Sequence, residues 1–216
     1  MPLYRNGRKV ILFVHIPKTG GSTVEEVLKA AGAAQALKYH KRLGYSNSTP
    51  QHMPWEVTKR WVPREFYDFA FTVVREPVAR MASEYRWRGK ISTEPLPAFD
   101  DWANRQMTLW KEKPYLLDNH IRPQADFVGP SVRVFKLEDG LDEPIRIGLK
   151  RLGLATVEVS IHHARKSEVD ELVVSPTTLA RIKRFYETDY ETFGYDRDTS
   201  LPTGLALPSS TVSKLF

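Results

Sequence analysis

Two rhythms of apolar residues organise the chain. Lys9–Ile16 (KVILFVHI) is an unbroken apolar run rich in Val and Ile, the pattern of a strand buried on both faces. Pro17–Thr23 (PKTGGST) breaks it. Val24, Val27, Leu28 and Ala31 then recur at helical spacing, with Glu25 and Glu26 expected in the first turn and Gly32 as the stop. Residues 38–64 are turn-rich, with a short helix expected near Trp55–Trp61. Tyr67–Val74 reads as a second strand. Pro77 opens a second helix with Val78, Met81, Ala82 and Tyr85 as its apolar stripe. After a Pro-rich loop, Asp100–Leu117 is expected to be helical in part, interrupted at Pro114. Ser131–Leu137 is a third strand, and Asp142 is expected to cap a helix that closes at Gly153. Ser175–Pro176 starts a last helical stripe of Leu179, Ile182, Tyr186 and Phe193, stopped by Gly194. Strands alternating with helices predict an α/β fold around a mostly parallel sheet. Residues 1–197 are expected to form a single domain, and 198–216 a peripheral or mobile tail.

Composition narrows the chemistry. The 216 residues contain no cysteine, which excludes a disulfide framework, a zinc ribbon, a thiol nucleophile and an iron–sulfur centre. The longest strongly apolar run, Val10–Val14, is far short of a membrane span. No secretory signal is visible, so a soluble, cytoplasmic protein is expected. Thirty-two Lys and Arg against 26 Asp and Glu give a net charge of +6, which favours an anionic partner. No zinc-ligand spacing or aromatic RNA-binding motif points to nucleic acid, and no carboxylate or HxxxH cluster suggests a metal.

The order strand, Pro17-Lys18-Thr19-Gly20-Gly21-Ser22-Thr23, helix has a physical meaning. A helix N-terminus presents unpaired N–H groups and partial positive charge. Gly20 and Gly21 let the backbone curl close to an anion. Ser22 and Thr23 add hydroxyls, and Lys18 adds a mobile charge. It is not a Walker A loop, because Lys18 precedes the glycines and Gly21 stands where the Walker lysine belongs.

FVHIPKTGGST resembles the 5′-phosphosulfate loop of sulfotransferases that use 3′-phosphoadenosine 5′-phosphosulfate (PAPS). It is most similar to the carbohydrate branch, which includes heparan sulfate 2-O-sulfotransferase and the chondroitin and dermatan enzymes. The resemblance implies the P-loop-like sulfotransferase fold, PAPS as sulfuryl donor, no metal, and a carbohydrate hydroxyl as acceptor. The short, cysteine-free chain fits a bacterial-type member. The family's second signature, an Arg at a strand end and a Ser eight residues on, holds the 3′-phosphate. Here FTVVREPVARMASEY supplies Arg75 and Ser83. At ~100° per residue, Arg80, Ser83 and Trp87 share one helix face opposite the apolar stripe, so Ser83 can face a ligand. Glu84 lies four residues from both Arg80 and Arg88, which permits plain surface pairs.

A hydroxyl acceptor needs a base, and histidine serves near neutral pH. His15 precedes the loop and reads as a packed, hydrogen-bonded residue; His40 reads as exposed. His52, in TPQHMPW, lies where related enzymes carry their base and ranks first, with the alternative that it only orders Trp55. His120 is the runner-up. The DNHIRPQ segment resembles the family's acceptor side, which makes Asn119, His120, Arg122 and Gln124 candidate substrate contacts; a buried polar network holding a loop is the equal alternative. HHARKS resembles a loop that lies against the nucleotide, adding Arg165, Lys166 and Ser167, with surface charge as the alternative. DYETFGY, Asp189–Tyr195, reads as structural. Two other classes stay open: a kinase-like phosphotransferase, and a non-catalytic binder of acidic polysaccharide.

Overall fold

The computed structural model describes residues 1–38, 46–155, 171–198 and 201–208. Its centre is a five-stranded sheet. Strands β1 (Leu3–Asn6), β2 (Lys9–Val14), β3 (Ala34–Ala36), β4 (Phe69–Val74) and β5 (Val132–Lys136) lie in the order β3-β1-β2-β4-β5. The three longer strands β2, β4 and β5 run parallel, with Ile11 opposite Phe69 and Ala70 opposite Val132. The sheet is therefore an α/β layer rich in parallel pairing, as the alternation of elements predicts. β1 and β3 extend it antiparallel, through a hairpin at Gly7 (φ +58). The polar residues among Leu3–Asn6 hide that edge from a reading based on apolar runs.

The period of two explains the apolar run in β2. Ile11 and Phe13 enter one core with Phe71, Val73 and the apolar residues of α1 (Gly21–Ala30) and α5 (Asp142–Leu152). Leu12, Val14 and Ile16 enter the opposite core with Ala70, Val74, Phe127 and Phe193. With helices over one face and helices and turns over the other, neither face of the strand tolerates polar residues. The α1 stripe Val24, Val27, Leu28 and Ala31 packs as its spacing predicts.

A third core joins α3 (Pro77–Ile91), α4 (Phe99–Glu112), α6 (Pro176–Phe185) and α7 (Glu187–Phe193). Ser175 caps α6 by accepting from the Thr178 N–H, and α4 ends before Pro114. Four expectations need correction. Glu25 is not a dipole-stabilised surface acid: α1 starts at Gly21, and Glu25 is buried at 0% exposure. The last stripe is two helices, broken at Tyr186 (φ −101, ψ 22), whose hydroxyl donates to the Ile121 carbonyl at 2.8 Å. Leu141, not Asp142, holds the cap position of α5, without a side-chain bond. Arg80 does not face ligand or solvent.

Arg80 is 1% exposed. Its Nε donates to the Pro17 carbonyl at 2.9 Å, Nη1 to Arg122 at 2.9 Å and Nη2 to His120 at 2.7 Å. One guanidinium thus ties α3 to the Pro17–Thr23 loop and to the chain beyond Pro114. Within the expected C-terminal tail, β7 (Leu205–Ala206) pairs in parallel with β6 (Leu172–Val173), and Leu205 is buried in the helical core; residues 199–200 and 209–216 lie outside the described residues. Among the described residues, no helix is long and apolar enough to cross a membrane.

Replacing Arg80 by Leu strands three carbonyls and is expected to remove about 3–5 kcal/mol of unfolding free energy, read from urea denaturation. Arg80→Lys is expected to recover only part, because a point charge cannot reproduce the fork. A loss below about 1 kcal/mol for Arg80→Leu would show that the three bonds hold little.

Candidate active site

A cavity of about 1710 Å³ opens at the carboxyl ends of β2 and β4. One wall is the Pro17–Thr23 loop. Lys18 takes a left-handed backbone, φ +69, and Gly20 another at φ +82. Such a conformation is strained for lysine and free of strain for glycine, so the curl concentrates strain at the one charged residue of the loop. A Cβ at Gly20 would also meet the Leu137 and Leu141 methyls at 3.0–3.1 Å. A Cβ at Gly21 would meet the His15 ring at 2.8–2.9 Å. Both glycines are therefore required, one by backbone angle and packing, the other by packing alone. Ser22 and Thr23 line the cavity at the start of α1. Thr19 turns inward, and its hydroxyl donates to the Ile16 carbonyl at 2.9 Å, bracing the turn from behind.

The second half of the site comes from β4 and α3. Arg75 follows the last residue of β4, and its Nη1 lies 3.5 Å from the Lys18 carbonyl. Ser83 lines the same cavity. Trp87, one turn further, carries the Lys18 ammonium over its ring at 5.0 Å and the Arg88 guanidinium at 4.6 Å. Burial pushes the Lys18 amine below its ordinary pKa, opposed by the nearby Glu84 carboxylate.

The third wall holds three histidines in a row. The ring centroids of His15 and His52 are 5.2 Å apart, those of His52 and His120 4.9 Å, and His120 stacks on Trp87 at 5.1 Å. Each imidazole turns Nδ1 to a carboxylate: His15 to Glu25, His52 to Asp118 at 2.7 Å, His120 to Glu84 at 2.7 Å. An ionised carboxylate only accepts, so Nδ1 donates, and the neutral ring keeps its lone pair on Nε2. Burial pushes His52 down to about 4, against the pull of Asp118. His15 and His120 are lowered for the same reason, against Glu25 and Glu84. Burial also opposes ionisation of Asp118, but hydrogen bonds from His52 and Thr49 outweigh it and hold the carboxyl below its ordinary range.

The segment that presents Asp118 and His120 is bent hard. Leu117, Asp118 and Asn119 have φ of +52, +56 and +66. Asp and Asn tolerate this region; Leu does not. Thr49 holds Asp118 from across the cavity through its N–H and hydroxyl, both at 2.7 Å. His52, Asp118 and His120 are the one group of potential metal ligands found among the described residues, with ligand atoms within 4.8 Å of one another. Both Asp118 oxygens and both Nδ1 atoms are already engaged, Asp118 with Thr49 and His52, His120 with Glu84. His52 and His120 thus sit in hydrogen-bonded acid–base pairs, with Asp118 and Glu84, and each ring keeps its Nε2 lone pair.

The chain matches the family model described as "Sulfotransferase family" over residues 1–196. The chain belongs to the sulfotransferase family. No curated protein and no solved structure matches it. Its coarse chemistry is therefore sulfuryl transfer.

Of the candidate residues in this sulfotransferase, Pro17, Lys18, Gly20, Gly21, Ser22, Thr23, His52, Arg75, Ser83 and His120 share the cavity wall. Three of the expected acceptor contacts are placed elsewhere. Asn119 is buried and donates to the His52 carbonyl at 2.8 Å. Arg122 is bound to Asn119, Asp126 and the Pro114 carbonyl. Gln124 is buried against Arg75 and Asp189. Asn119 and Gln124 thus make buried hydrogen bonds and Arg122 half-buried ones, in two separate groups. Arg165, Lys166, Ser167, His40, His162 and His163 lie outside the described residues. Sequence reasoning missed Glu84 and Asp118 as histidine partners and Trp87 as a platform. Asp118 had a signal, since Asp beside Asn-His marks a turn rich in hydrogen bonds. Glu84, placed to pair with Arg88 at i+4, had none; it makes that pair at 2.7 Å and the His120 bond as well.

His52 binds its proton in the unfolded chain near pH 6.5 but in the folded protein only near 4, so stability from its neutral form is fully present above about pH 6.5 and is lost as pH falls toward 4. The urea midpoint is expected to drop between pH 7 and pH 5, and to drop less in His52→Gln. An equal drop in both proteins would contradict the buried neutral assignment.

Proposed function

We propose that the protein moves the sulfuryl group of PAPS to a hydroxyl of a carbohydrate acceptor by in-line displacement. One observation supports this above the rest: the phosphate loop and Arg75 meet at 3.5 Å in a single cavity whose far wall carries two histidine–carboxylate pairs. The chemistry of the wall suits a doubly phosphorylated nucleotide. The curled loop and the α1 N-terminus offer N–H donors to the 5′ end, while Arg75 and Ser83 offer a fork and a hydroxyl to the 3′-phosphate.

In the transfer, the bond from sulfur to the acceptor oxygen forms as the bond from sulfur to the 5′-phosphate oxygen breaks. His52 Nε2 takes the hydroxyl proton, and Asp118 stabilises the imidazolium that results. Lys18 stabilises the charge growing on the bridging oxygen. His120, with Glu84, is the second group able to exchange a proton there. Arg88, Lys90 and Lys113 at the cavity mouth, with Tyr115 beside them, favour a polar and anionic acceptor. We assign the protein to a bacterial-type carbohydrate branch and, from its cysteine-free composition, to the cytoplasm.

A kinase-like reading is disfavoured by the Walker order the loop lacks. A purely non-catalytic binder of acidic polysaccharide has no use for buried acid–base pairs facing the cavity.

Adenosine 3′,5′-bisphosphate at about a hundred times its Kd is expected to raise Tm by about 5–10 °C. Labelled sulfate transfer from PAPS to a panel of glycans, alcohols and phenols is expected to favour glycans. Lys18→Ala is expected to abolish it. His52→Ala is expected to lower kcat by about 10²–10⁴-fold while keeping nucleotide binding. Normal kcat in His52→Ala would move the base elsewhere; magnesium-dependent ATP binding in place of bisphosphate binding would favour the kinase.

A further inference from the structure

Arg75 is the first residue beyond β4, whose last pairing with β5 is Val74 opposite Lys136. Past that point the sheet no longer supplies partners for the backbone. The carboxamide of Gln124 supplies them instead. Its Oε1 accepts from the Arg75 N–H at 2.9 Å, and its Nε2 donates to the Arg75 carbonyl at 2.7 Å. One side chain thereby serves both polar groups of one residue, which requires a donor and an acceptor on the same planar group. Asparagine is a methylene shorter, and glutamate lacks the donor.

Gln124 is held in turn. It is 0% exposed, as is Asp189 of α7. Asp189 Oδ2 accepts from the Gln124 N–H at 2.9 Å and from its Nε2 at 3.2 Å, and Oδ1 accepts from the Ala125 N–H at 2.8 Å. A carboxylate from the C-terminal helix therefore fixes the amide that fixes the arginine.

We propose that Gln124, anchored by Asp189, is a positioning residue for the 3′-phosphate grip: it locks the Arg75 backbone so that the guanidinium is aimed at the phosphate loop before nucleotide arrives. The proposal takes the PAPS chemistry above as given. Gln124 then contributes to donor selectivity without touching the donor, and the Asp189–Tyr195 segment acts on the nucleotide site as well as on the core. A pre-aimed guanidinium loses less freedom on binding, which is where the affinity gain arises.

The test separates this role from plain folding by comparing two ligands, adenosine 3′,5′-bisphosphate and adenosine 5′-monophosphate, by calorimetry. Gln124→Met removes both bonds; Gln124→Glu keeps the volume and the acceptor but loses the donor, and covers the case in which the Met variant does not fold. Either variant is expected to weaken the bisphosphate by roughly tenfold and the monophosphate by less than about twofold. In an Arg75→Ala background, the same substitution is expected to add almost nothing to the loss of bisphosphate affinity, because the two residues act as a unit. Equal weakening of both nucleotides, no weakening of either, or an undiminished effect in the Arg75→Ala background would reduce Gln124 to a fold residue and overturn the proposal. Wild-type protein that binds both nucleotides alike would instead remove the PAPS assignment, and the grip with it.

Discussion

The structure depends on one buried cation. Arg80 gives hydrogen bonds to the carbonyls of Pro17, His120 and Arg122, and so joins α3 to two segments about a hundred residues apart in sequence, the Pro17 turn and the His120–Arg122 turn. Pro17 opens the glycine-rich loop, His120 carries one of the acid–base pairs, and Arg122 leads into the turn where Gln124 holds Arg75. A guanidinium is the only side chain with donors enough, in a fixed plane, to serve three acceptors at once. Burying it without a directly bonded carboxylate is costly, and the neighbouring Asp189 carboxyl and the Tyr186 ring at 5.8 Å offset that in part.

Around that anchor, the site is assembled by the same device used repeatedly: a carboxylate, buried in Glu25 and Glu84 and half-buried in Asp118, turned to the back of a functional group. Glu25 holds His15 beneath Gly21, Asp118 holds His52, and Glu84 holds His120. Each carboxylate orients its ring and leaves Nε2 as the lone-pair nitrogen. Burial keeps the rings neutral near physiological pH, which is the state a proton acceptor needs. The left-handed run Leu117–Asn119 is the strain that accompanies this arrangement. The bonds from Thr49 to Asp118 and from Asn119 to the His52 carbonyl hold it in place.

The curl between β2 and α1 was readable because its geometry is local. Strand, curl and helix are contiguous, and the need for Gly20 and Gly21 follows from backbone geometry. The parallel strands were readable for a related reason, since a run buried on both faces excludes polar residues. The edge strands were not, because β1 and β3 bear one-sided patterns interrupted by Arg5, Asn6 and Gln35. The helical wheel of α3 placed Ser83 and Trp87 on the cavity side but misjudged Arg80 and Glu84. A wheel assigns polar residues to the outside, and here a second layer of chain covers that outside.

By itself, the sequence determined the α/β class, the glycine curl between β2 and α1, and the strand end and helix that carry Arg75 and Ser83, all of them properties of short segments with their own conformational preference. Only the tertiary structure decided which histidine faces which acid, and which polar residues of DNHIRPQ serve the fold. His120 and Glu84 are 36 residues apart, His52 and Asp118 are 66 apart, and Gln124 and Asp189 are 65 apart. A buried polar group must find a partner, but its choice among distant residues is made by how helices and turns pack around Arg80, and no local pattern encodes that choice.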